Sequence, residues 1–566
     1  MVDKFDDFRR CLDEELSGGK LEYLKLSDDN STLSFRAPQF CTDFFRNLRQ
    51  YQEANQFCDL TIRARAEPDK RFMRVHKLVL SCCSPYFKAM FTGGFKENEN
   101  SEMLIDDENY HSVELIINFF YTAHVVVEET SVQKLLEVAK MFQADEVVRA
   151  CCTYLYLNLD PNNCIGIGEF ATRIGCYDLA KKAQVYINEH FCEVSNSDEF
   201  LSLDRYQICK IIKSDDIRVA CESLVFMAVV KWVKHRPAER RCGLDRLFQC
   251  IRVHCLPPKF IKDEIKDKEI FDCEEADQSR QYLQQVFDDL IAHKPTNAEP
   301  RRPNLNFGLY VVGGYQRKST NTVECYKQST GSWERCADMR LPRSGLSCVS
   351  LALYIFAIGG RYTSIQGSID CCDVERYDPM FNVWSDSAPM NVPRSRAGTA
   401  VLDNLIYAVG GANNNTFHSS VERYSFEDNK WEKVASMSMP RMGLGCAVVR
   451  RLLYAIGGYD GKERLSHVEC YDPDKDLWFN CPPMNVARSG AGVSSLDNYI
   501  YVIGGYTTNQ PLSSAERFDT LTNQWTIISS MSVPRSGLSC VTWNGKIYAI
   551  GGYKENEFLS AVEVYD

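Results

Sequence analysis

The stretch LLYAIGGYDGKERLSHVECYD, residues 452–472, contains a pattern that recurs through the C-terminal part of the chain. An apolar, strand-like run ends in a Gly-Gly pair, and a second strand-like run follows a polar loop. Such pairs occur at residues 313–314, 359–360, 410–411, 457–458, 504–505 and 551–552. Successive pairs are 46, 51, 47, 47 and 47 residues apart. This period indicates one supersecondary unit that is copied around a ring or along a stack.

The sequence pattern of each copy predicts four short strands, and such a unit is typical of a propeller blade. Two glycines suit a sharp turn near a crowded ring axis, where a Cβ atom would clash. The aromatic residues of each copy are expected to pack between blades, and its tryptophans are Trp333, Trp384, Trp431, Trp478 and Trp525. The sixth copy stops at residues 561–566, before its tryptophan. We therefore expect a six-bladed propeller over residues 307–566, about 30 residues short of a full last blade.

The residues before the repeats predict two further domains. Strand-like patterns followed by helical patterns over residues 45–157 indicate a compact α+β domain, in which Ser84-Pro85 begins a helix. Residues 158–290 contain only amphipathic helical patterns and predict an all-α domain. Residues 1–44 are interpreted as an irregular arm, and residues 291–306, rich in proline and asparagine, as a linker.

Composition excludes several classes of function. The net charge is −11, yet residues 301–566 hold 26 basic and 26 acidic residues, so nucleic-acid binding is not expected. There is neither an apolar run of about 18 residues nor a signal-peptide core, which predicts an intracellular protein that does not bind membranes. The 25 cysteines form no C-x-x-C pair, and the repeats hold only two histidines, His418 and His467. We therefore expect no metal, no cofactor and no catalysis.

The repeats are similar to kelch repeats, and the order of domains resembles that of the BTB–BACK–kelch adaptors of cullin-3 ubiquitin ligases. The runs that carry the resemblance are SPYFKAMFTGG (84–94), VVRACCTYL (147–155), LDPNNCIGIGEFATRIGC (159–176), HKPT (293–296) and GGYDGKER (457–464). The resemblance covers nearly the whole chain from residue 45 onward. It implies a BTB domain over residues 45–157, a BACK domain over residues 158–290 and a kelch propeller.

The resemblance also implies two interfaces in the BTB domain. The domain is expected to form a homodimer, with Asp59 and Lys77, beside His76, at the family's charged interface positions. Phe95 and Glu97 match the family's hydrophobic-x-Glu motif for cullin-3, and the helices around residues 164–176 would complete that contact.

A peptide-binding rim is predicted from two sets of loop residues. The first set follows the Gly-Gly pairs and includes Tyr315, Arg361, Tyr506 and Tyr553, with Tyr459 in the same position. The second set lies in and near the Arg-Ser-Gly turns and comprises Ser344, Arg396, Ser489 and Ser536, and Arg464 lies in the GGYDGKER loop. Arginine forks and hydroxyl groups suit an extended acidic peptide. Solvated loop arginines and turn-capping serines are the structural alternative.

The chain departs from the branch of the family that represses a cap-n-collar bZIP stress-response transcription factor. A pocket asparagine of that branch is Thr363 here, and its pocket glutamine aligns with Pro511, next to Gln510. The reactive cysteines of that branch align with Ser131, Val253 and Lys268. Cys255 and Cys273, which are flanked by charged residues, are candidate replacements as redox-active or electrophile-sensing thiols.

The resemblance implies a substrate adaptor of a cullin-3 ligase that captures an acidic degron peptide, with a bZIP factor as the expected source. It is expected in the cytoplasm and also in the nucleus. Two alternatives remain open: an actin-binding cytoskeletal kelch scaffold, and a BTB–kelch adaptor for a different substrate. No Gly-rich phosphate loop or nucleophile elbow suggests an enzyme.

Overall fold

A computed structural model describes most of the chain. The described residues are 24–26, 33–35, 38–92, 101–242, 244–271, 274–295, 301, 308–328, 330–364, 367–555 and 557–566. They divide between two compact units, Met1–Tyr186 and Ile187–Asp566. Within these ranges, every helix is too short or too polar to cross a membrane.

The first unit packs helices around a small mixed sheet. Its elements are β1 (Leu24–Leu26), β2 (Leu33–Phe35), α1 (Pro38–Glu53), β3 (Leu60–Ala64), β4 (Phe72–Val75), α2 (Lys77–Cys83), α3 (Pro85–Thr92), β5 (Glu102–Ile105), α4 (Asp107–Thr122), α5 (Val132–Met141), α6 (Asp145–Leu157) and α7 (Cys164–Arg173). Helix α8 (Tyr177–Glu189) spans the boundary between the units. Strand β3 lies between β4, which is antiparallel to it, and β5, which is parallel.

Local sequence explains the start of α3. The Ser84 Oγ accepts a hydrogen bond of 3.2 Å from the Phe87 N–H, and Pro85 occupies the first helical position. This arrangement confirms the predicted Ser84-Pro85 helix start. Phe87 is then fully buried in the core of the first unit.

Two features of the first unit differ from the prediction. The arm is not irregular throughout, because β1 and β2 pair as an antiparallel hairpin and α1 begins at Pro38. Strand β5 was not predicted, and its partner β3 is more than 35 residues away in sequence. Such a parallel pairing depends on long-range contacts that local patterns do not report.

The first part of the second unit is helical, as expected. It contains α9 (Phe191–Val194), α10 (Asp198–Ser202), α11 (Arg205–Ile212), α12 (Glu222–His235), α13 (Pro237–Arg240), α14 (Leu244–Cys250), α15 (Pro258–Glu264), α16 (Lys268–Phe271) and α17 (Asp277–Ile291), with 3-10 turns at Val253–Cys255 and Glu274–Ala276. Helix α12 is buried on most sides, which fits its nearly continuous apolar sequence. The Trp232 Nε1 donates to the Leu203 carbonyl over 3.0 Å.

The rest of the second unit is a six-bladed propeller of antiparallel sheets, in agreement with the predicted architecture. Blade one holds β6 (Gly308–Gln316), β7 (Lys318–Lys327) and β8 (Ser332–Arg335); blade two holds β9 (Ser347–Leu351), β10 (Tyr354–Ile358), β13 (Val374–Asp378) and β14 (Val383–Ser387). Blade three holds β15 (Gly398–Leu402), β16 (Leu405–Val409), β19 (Val421–Ser425) and β20 (Lys430–Val434); blade four holds β21 (Gly445–Val449), β22 (Leu452–Ile456), β23 (Val468–Asp472) and β24 (Leu477–Cys481).

Blade five holds β25 (Gly492–Leu496), β26 (Tyr499–Ile503), β27 (Ala515–Asp519) and β28 (Gln524–Ile528), and blade six holds β29 (Ser539–Trp543), β30 (Lys546–Ile550) and β33 (Val562–Tyr565). Small hairpins in the loops are β11 (Arg361–Ser364) with β12 (Gly367–Asp370), β17 (Ala412–Asn413) with β18 (Thr416–Phe417), and β31 (Tyr553–Lys554) with β32 (Glu557–Phe558). Blade six contacts blade one, since the Trp543 and Tyr326 ring centroids are 6.2 Å apart.

An ion pair of a buried arginine recurs in five blades. The arginine of each Arg-Ser-Gly-type turn lies 2.6–2.9 Å from the glutamate of the third strand in the same blade, and the pairs are Arg343–Glu375, Arg394–Glu422, Arg441–Glu469, Arg488–Glu516 and Arg535–Glu563. Each arginine also donates to the carbonyl of the first glycine of the Gly-Gly pair. This arginine therefore ties the turn, the glycine pair and the third strand together.

The tryptophans that recur in the repeat pack between blades, as predicted. The Nε1 of each of four tryptophans donates over 2.8 Å to a carbonyl of the preceding blade, and these residues are Trp384, Trp431, Trp478 and Trp525. At Gly360, which has a φ of 101°, a Cβ atom would lie 2.9 Å from the Leu346 Cβ. The glycine pair is therefore required by both the backbone conformation and the space.

Candidate functional site

The two predicted sets of loop residues meet at the rim of the propeller. From the second Gly-Gly pair onward, the residue after the pair forms a backbone bridge with the residue at the serine position of the Arg-Ser-Gly turn in the same blade. These bridges are Ser344–Arg361, Ser395–Ala412, Met442–Tyr459, Ser489–Tyr506 and Ser536–Tyr553. In each of these five blades, the two bridged residues therefore lie side by side at the rim. Three of the five pairs combine a serine with an arginine or a tyrosine.

A chain of backbone hydrogen bonds joins neighbouring blades at the next position. Its members are Gly345, Arg396, Gly443, Gly490 and Gly537. The N–H of each member after Gly345 donates over 2.7–2.8 Å to the carbonyl of the member before it. All five have φ between 51° and 65°, a region that glycine enters easily. Arg396 is the one side chain in this series, and it is exposed. An arginine that occupies a strained backbone position suggests a role for its side chain.

Arg361 is held by a carboxylate that the sequence analysis missed. Its Nε and one terminal nitrogen donate to the two oxygens of Asp370 over 2.7 and 2.9 Å. Asp370 is buried and also accepts from the Asn414 N–H over 2.6 Å. Burial alone would raise the pKa of Asp370, but Arg361 and the Asn414 N–H hold that pKa below its ordinary value. Asp370 therefore fixes the orientation of Arg361 and offsets its charge.

Arg464 lies between two tyrosine rings. Its guanidinium carbon is 4.9 Å from the ring centroid of Tyr506 and 5.6 Å from that of Tyr459. Its Nε is buried and has no hydrogen-bond partner among the described residues. The two rings hold the guanidinium group in place, and its charge is not paired with a carboxylate in the described part of the chain.

Aromatic and hydroxyl groups complete the rim. Tyr315 and Tyr553 both contact Phe558, with ring-centroid distances of 5.6 and 5.2 Å. The Ser344 Oγ accepts from the Ser319 Oγ over 3.0 Å. Thr363 is exposed in the β11–β12 hairpin. Gln510 is exposed, and its carbonyl accepts from the Thr507 N–H.

This rim is chemically suited to an anionic extended ligand. Arg396 and Arg464 carry positive charge without a described carboxylate partner, whereas Arg361 shares its charge with Asp370. The hydroxyl groups of the serines and tyrosines can donate to, or accept from, a peptide backbone. No residue of the rim is arranged as a nucleophile with an adjacent base among the described residues.

The predicted dimer residues lie close together in the first unit. The Lys77 N–H donates to the Asp59 Oδ1 over 2.7 Å, and Asp59 is exposed in this single chain. The neighbouring His76 is buried, and its Nδ1 lies 2.8 Å from the Tyr121 hydroxyl. Burial of Asp59, which the resemblance implies, would therefore have to come from a partner chain.

Three predicted residues cannot be placed. Phe95, Glu97 and Cys273 lie outside the described residues. Cys255 is described, and its environment is the opposite of that expected for a reactive thiol. The pKa of Cys255 is raised to about 11, mainly by burial and to a smaller extent by the nearby Glu222 carboxylate. The charged residues that flank Cys255 in the sequence do not make it a thiolate.

The described residues contain one cluster of possible metal ligands. Donor atoms of His293, Asp472 and Asp474 lie within 4.8 Å of one another. However, the Lys475 Nζ is 2.7 Å from Asp472, and Arg451 is 2.9 Å from Asp474. These cations already balance the carboxylates, so the cluster is an ion-pair network between His293, which lies just after α17, and blade four.

The comparisons with known proteins agree with this architecture. The family model described as BTB/POZ domain matches residues 48–159, the model described as BTB And C-terminal Kelch matches residues 164–266, and the model described as Attractin/LZTR1 beta-propeller matches residues 309–562. Together they cover the three predicted kinds of domain.

Several curated proteins are similar over much of the chain. Kelch-like ECH-associated protein 1B of Danio rerio is 41% identical over 398 residues, which are 70% of this chain and 67% of the relative. Kelch-like ECH-associated protein 1A of Danio rerio is 38% identical over 66% of this chain and 62% of the relative. Kelch-like protein 2 of Homo sapiens is 35% identical over 57% of this chain and 55% of the relative. The chain thus spans about two thirds of the length of the first two relatives.

Proposed function

Because the chain belongs to the BTB–BACK–kelch family of Kelch-like proteins, we propose that it is a substrate-recognition adaptor of a cullin-3 RING ubiquitin ligase. The propeller captures an acidic degron peptide, and the BTB domain, with the first BACK helices, docks cullin-3. In this role the protein binds and positions its partners and performs no chemistry itself. Its expected places of action are the cytoplasm and the nucleus.

The observation that carries this proposal is the environment of Arg464 and the backbone conformation of Arg396. Arg464 is held between two tyrosine rings with a buried Nε that has no described partner, and Arg396 is kept at a backbone position where the other members of its series are glycine. Both arrangements cost free energy in the absence of a ligand. A carboxylate of a bound peptide supplies the missing hydrogen bonds and the opposite charge.

The finer proposal concerns the source of the peptide. The resemblance points to a cap-n-collar bZIP stress-response transcription factor, and the rim supports an acidic peptide of this kind. Thr363 and Gln510 are exposed beside the charged positions, so they are placed to adjust which peptide is preferred. Arg361, whose charge Asp370 offsets, should contribute less to affinity than Arg464.

Calorimetry with acidic degron peptides and the full-length protein tests the rim. Arg464→Ala should weaken binding by about 2–4 kcal/mol, because a desolvated peptide carboxylate would lose its partner. Arg376→Ala is a matched control, since Arg376 also lies over two aromatic rings, those of Tyr354 and Phe426, but outside the rim. Equal affinity of the wild type and the Arg464 variant would refute the assignment of the rim.

The cullin and dimer proposals rest on the first unit. Exposed aromatic side chains lie along and just after α1, namely Phe44, Phe45, Tyr51 and Phe57, and such a patch favours an interface with a second copy. Sedimentation should therefore show a dimer. Phe95→Ala and Glu97→Ala should each reduce capture of cullin-3 and leave peptide affinity unchanged. Full cullin-3 capture by both variants, or pelleting of the protein with actin filaments instead, would contradict the adaptor proposal.

Cysteine-based sensing of electrophiles or oxidants is a further part of the proposal. It requires a thiol that ionises near neutral pH, and the raised pKa of Cys255 gives it no support there. The described cysteine with a lowered pKa is Cys470 of blade four.

A further inference from the structure

Cys470 and Cys481 lie next to each other on one face of blade four. Strands β23 and β24 are antiparallel, with Val468 opposite Cys481 and Cys470 opposite Phe479. Residues that are directly opposite point to the same face, and so do residues two apart in one strand. Cys470 and Cys481 are therefore diagonal neighbours, and both are free thiols.

The two thiols border a cavity. It has a volume of about 340 Å³, and its lining includes Cys470, Cys481, Tyr454, Arg450, Thr520 and His293. Cys470 is 9% exposed, and Cys481 is half-buried. A ligand of the size of a small aromatic ring can therefore approach the sulfur atoms without unfolding of the blade.

Blade one contains the same pair of cysteines in a different environment. Cys325 and Cys336 have the same positions in the repeat as Cys470 and Cys481. In blade one, however, each thiol interacts with a tyrosine hydroxyl: Cys325 with that of Tyr310, and Cys336 with that of Tyr377. Each thiol of blade one therefore has a tyrosine hydroxyl as a partner.

Blade four lacks one of these hydroxyl groups. The residue that corresponds to Tyr377 is Phe518, which packs in the same cluster as Cys470 and Cys481. Without that hydroxyl, the Cys481 thiol hydrogen-bonds to Cys470. This hydrogen bond lowers the pKa of Cys470 in spite of its burial, and the pKa of Cys481 is raised. Of the two adjacent thiols, Cys470 is therefore the one that ionises more readily.

We propose that Cys470 and Cys481 form a dithiol site that captures monosubstituted trivalent arsenicals and other thiophiles able to bridge two sulfur atoms. In the reaction, an organoarsenic oxide forms two As–S bonds, and its oxygen leaves as water with the two thiol protons. No oxidation state changes, so no further reactant is needed. This site goes beyond the adaptor function and does not depend on it.

The strand geometry favours such a bridge over a disulfide. Diagonal neighbours in an antiparallel pair have Cα atoms about 7–8 Å apart. A disulfide needs a Cα separation below about 7 Å. An atom inserted between the two sulfurs spans the remaining gap, whereas direct bonding would require the strands to shift.

The test uses phenylarsine oxide and the full-length protein. After brief treatment at neutral pH and removal of excess reagent, the protein is unfolded in N-ethylmaleimide and mapped by mass spectrometry. We expect Cys470 and Cys481 to be protected together from maleimide, and 2,3-dimercaptopropanol to release both. Cys325 and Cys336 provide the internal control and should remain fully labelled. Labelling of Cys470 and Cys481 equal to that of the blade-one pair would overturn the proposal.

Variants separate the dithiol from unspecific reaction. Cys470→Ser and Cys481→Ser should each abolish protection of the remaining cysteine. Phe518→Tyr restores the hydroxyl found in blade one and, as a conservative change, should fold; it should slow capture at least several-fold. Protection that persists in either serine variant, or a capture rate that Phe518→Tyr leaves unchanged, would refute the role assigned to the pair.

Discussion

Arg394 and Arg396 are separated by a single residue, yet they serve opposite purposes. Arg394 is buried, with a terminal nitrogen 2.8 Å from Glu422 and further hydrogen bonds to Gly410 and Ser420. Arg396 is exposed and has a φ of 51°. The first arginine recurs in five blades, whereas the second occupies a position that holds glycine in the other blades described. The repeat therefore fixes one arginine for the fold and leaves the next position free for binding.

The same contrast explains why the rim can vary without loss of the propeller. The buried arginines satisfy carbonyl groups of the glycine turns and carboxylates of the third strands, so each one stabilises its own blade. The rim side chains project beyond these contacts. Substitution of a rim side chain should therefore alter which ligand the propeller binds. Substitution of a buried arginine should instead alter the stability of its blade.

The largest expected effect comes from Arg394→Ala. It leaves Glu422 fully buried without its partner, which should lower the free energy of unfolding of the propeller by about 3–5 kcal/mol. Arg396→Ala breaks no ion pair and should change that free energy by less than about 0.5 kcal/mol. Urea unfolding followed by tryptophan fluorescence measures both. Similar losses in the two variants would show that the two positions are not functionally separate.

A smaller effect with the opposite sign is expected for Arg396→Gly. Glycine relieves the positive φ, so this variant should be more stable than Arg396→Ala by about 1 kcal/mol. Both variants remove the guanidinium group, so both should lose the same affinity for an acidic peptide. Unfolding experiments and calorimetry on the same two proteins check this. If the glycine variant were no more stable than the alanine variant, Arg396 would not be strained.

The period of the repeat was sufficient to predict the propeller, the turn at each glycine pair and the packing of tryptophan between blades. These features depend on local sequence and on contacts between equivalent residues. The rim residues could be named for the same reason, because each follows directly from a turn. The ion pair of the buried arginine in each turn could not be predicted, because its glutamate lies in the third strand of the blade, far from the turn in sequence.

Features that depend on non-local contacts could not be read from the sequence. The pairing of Arg361 with Asp370 follows from the register of a hairpin. The pKa of Cys255 is set by burial and by Glu222, not by the charges next to it in the chain. The thiol pair of blade four differs from that of blade one through Phe518, which is 37 residues after Cys481. Only the packed structure brings these groups together.

The smallest expected effect concerns Arg361, the rim arginine that forms an ion pair with Asp370. The folded-state pKa of Asp370 lies below its unfolded value, so the Arg361–Asp370 pair contributes its full stability above the unfolded pKa, at about 3.9. That contribution is lost as the pH falls further through the folded-state pKa. Arg361 is more than a third exposed, so solvent screening should limit the loss to about 1 kcal/mol or less.

Asp370→Asn provides the comparison, because it removes the titrating group but keeps an oxygen for Arg361 and for the Asn414 N–H. Urea unfolding between pH 5 and about pH 3 should show a shallower decline for this variant than for the wild type, since fewer protons are taken up on unfolding. All other titrating groups are the same in both proteins, so the difference between the two declines reports Asp370. Parallel declines in the two proteins would mean that Asp370 does not hold Arg361 by charge, and the distinction between a paired Arg361 and the unpaired Arg396 and Arg464 would fail.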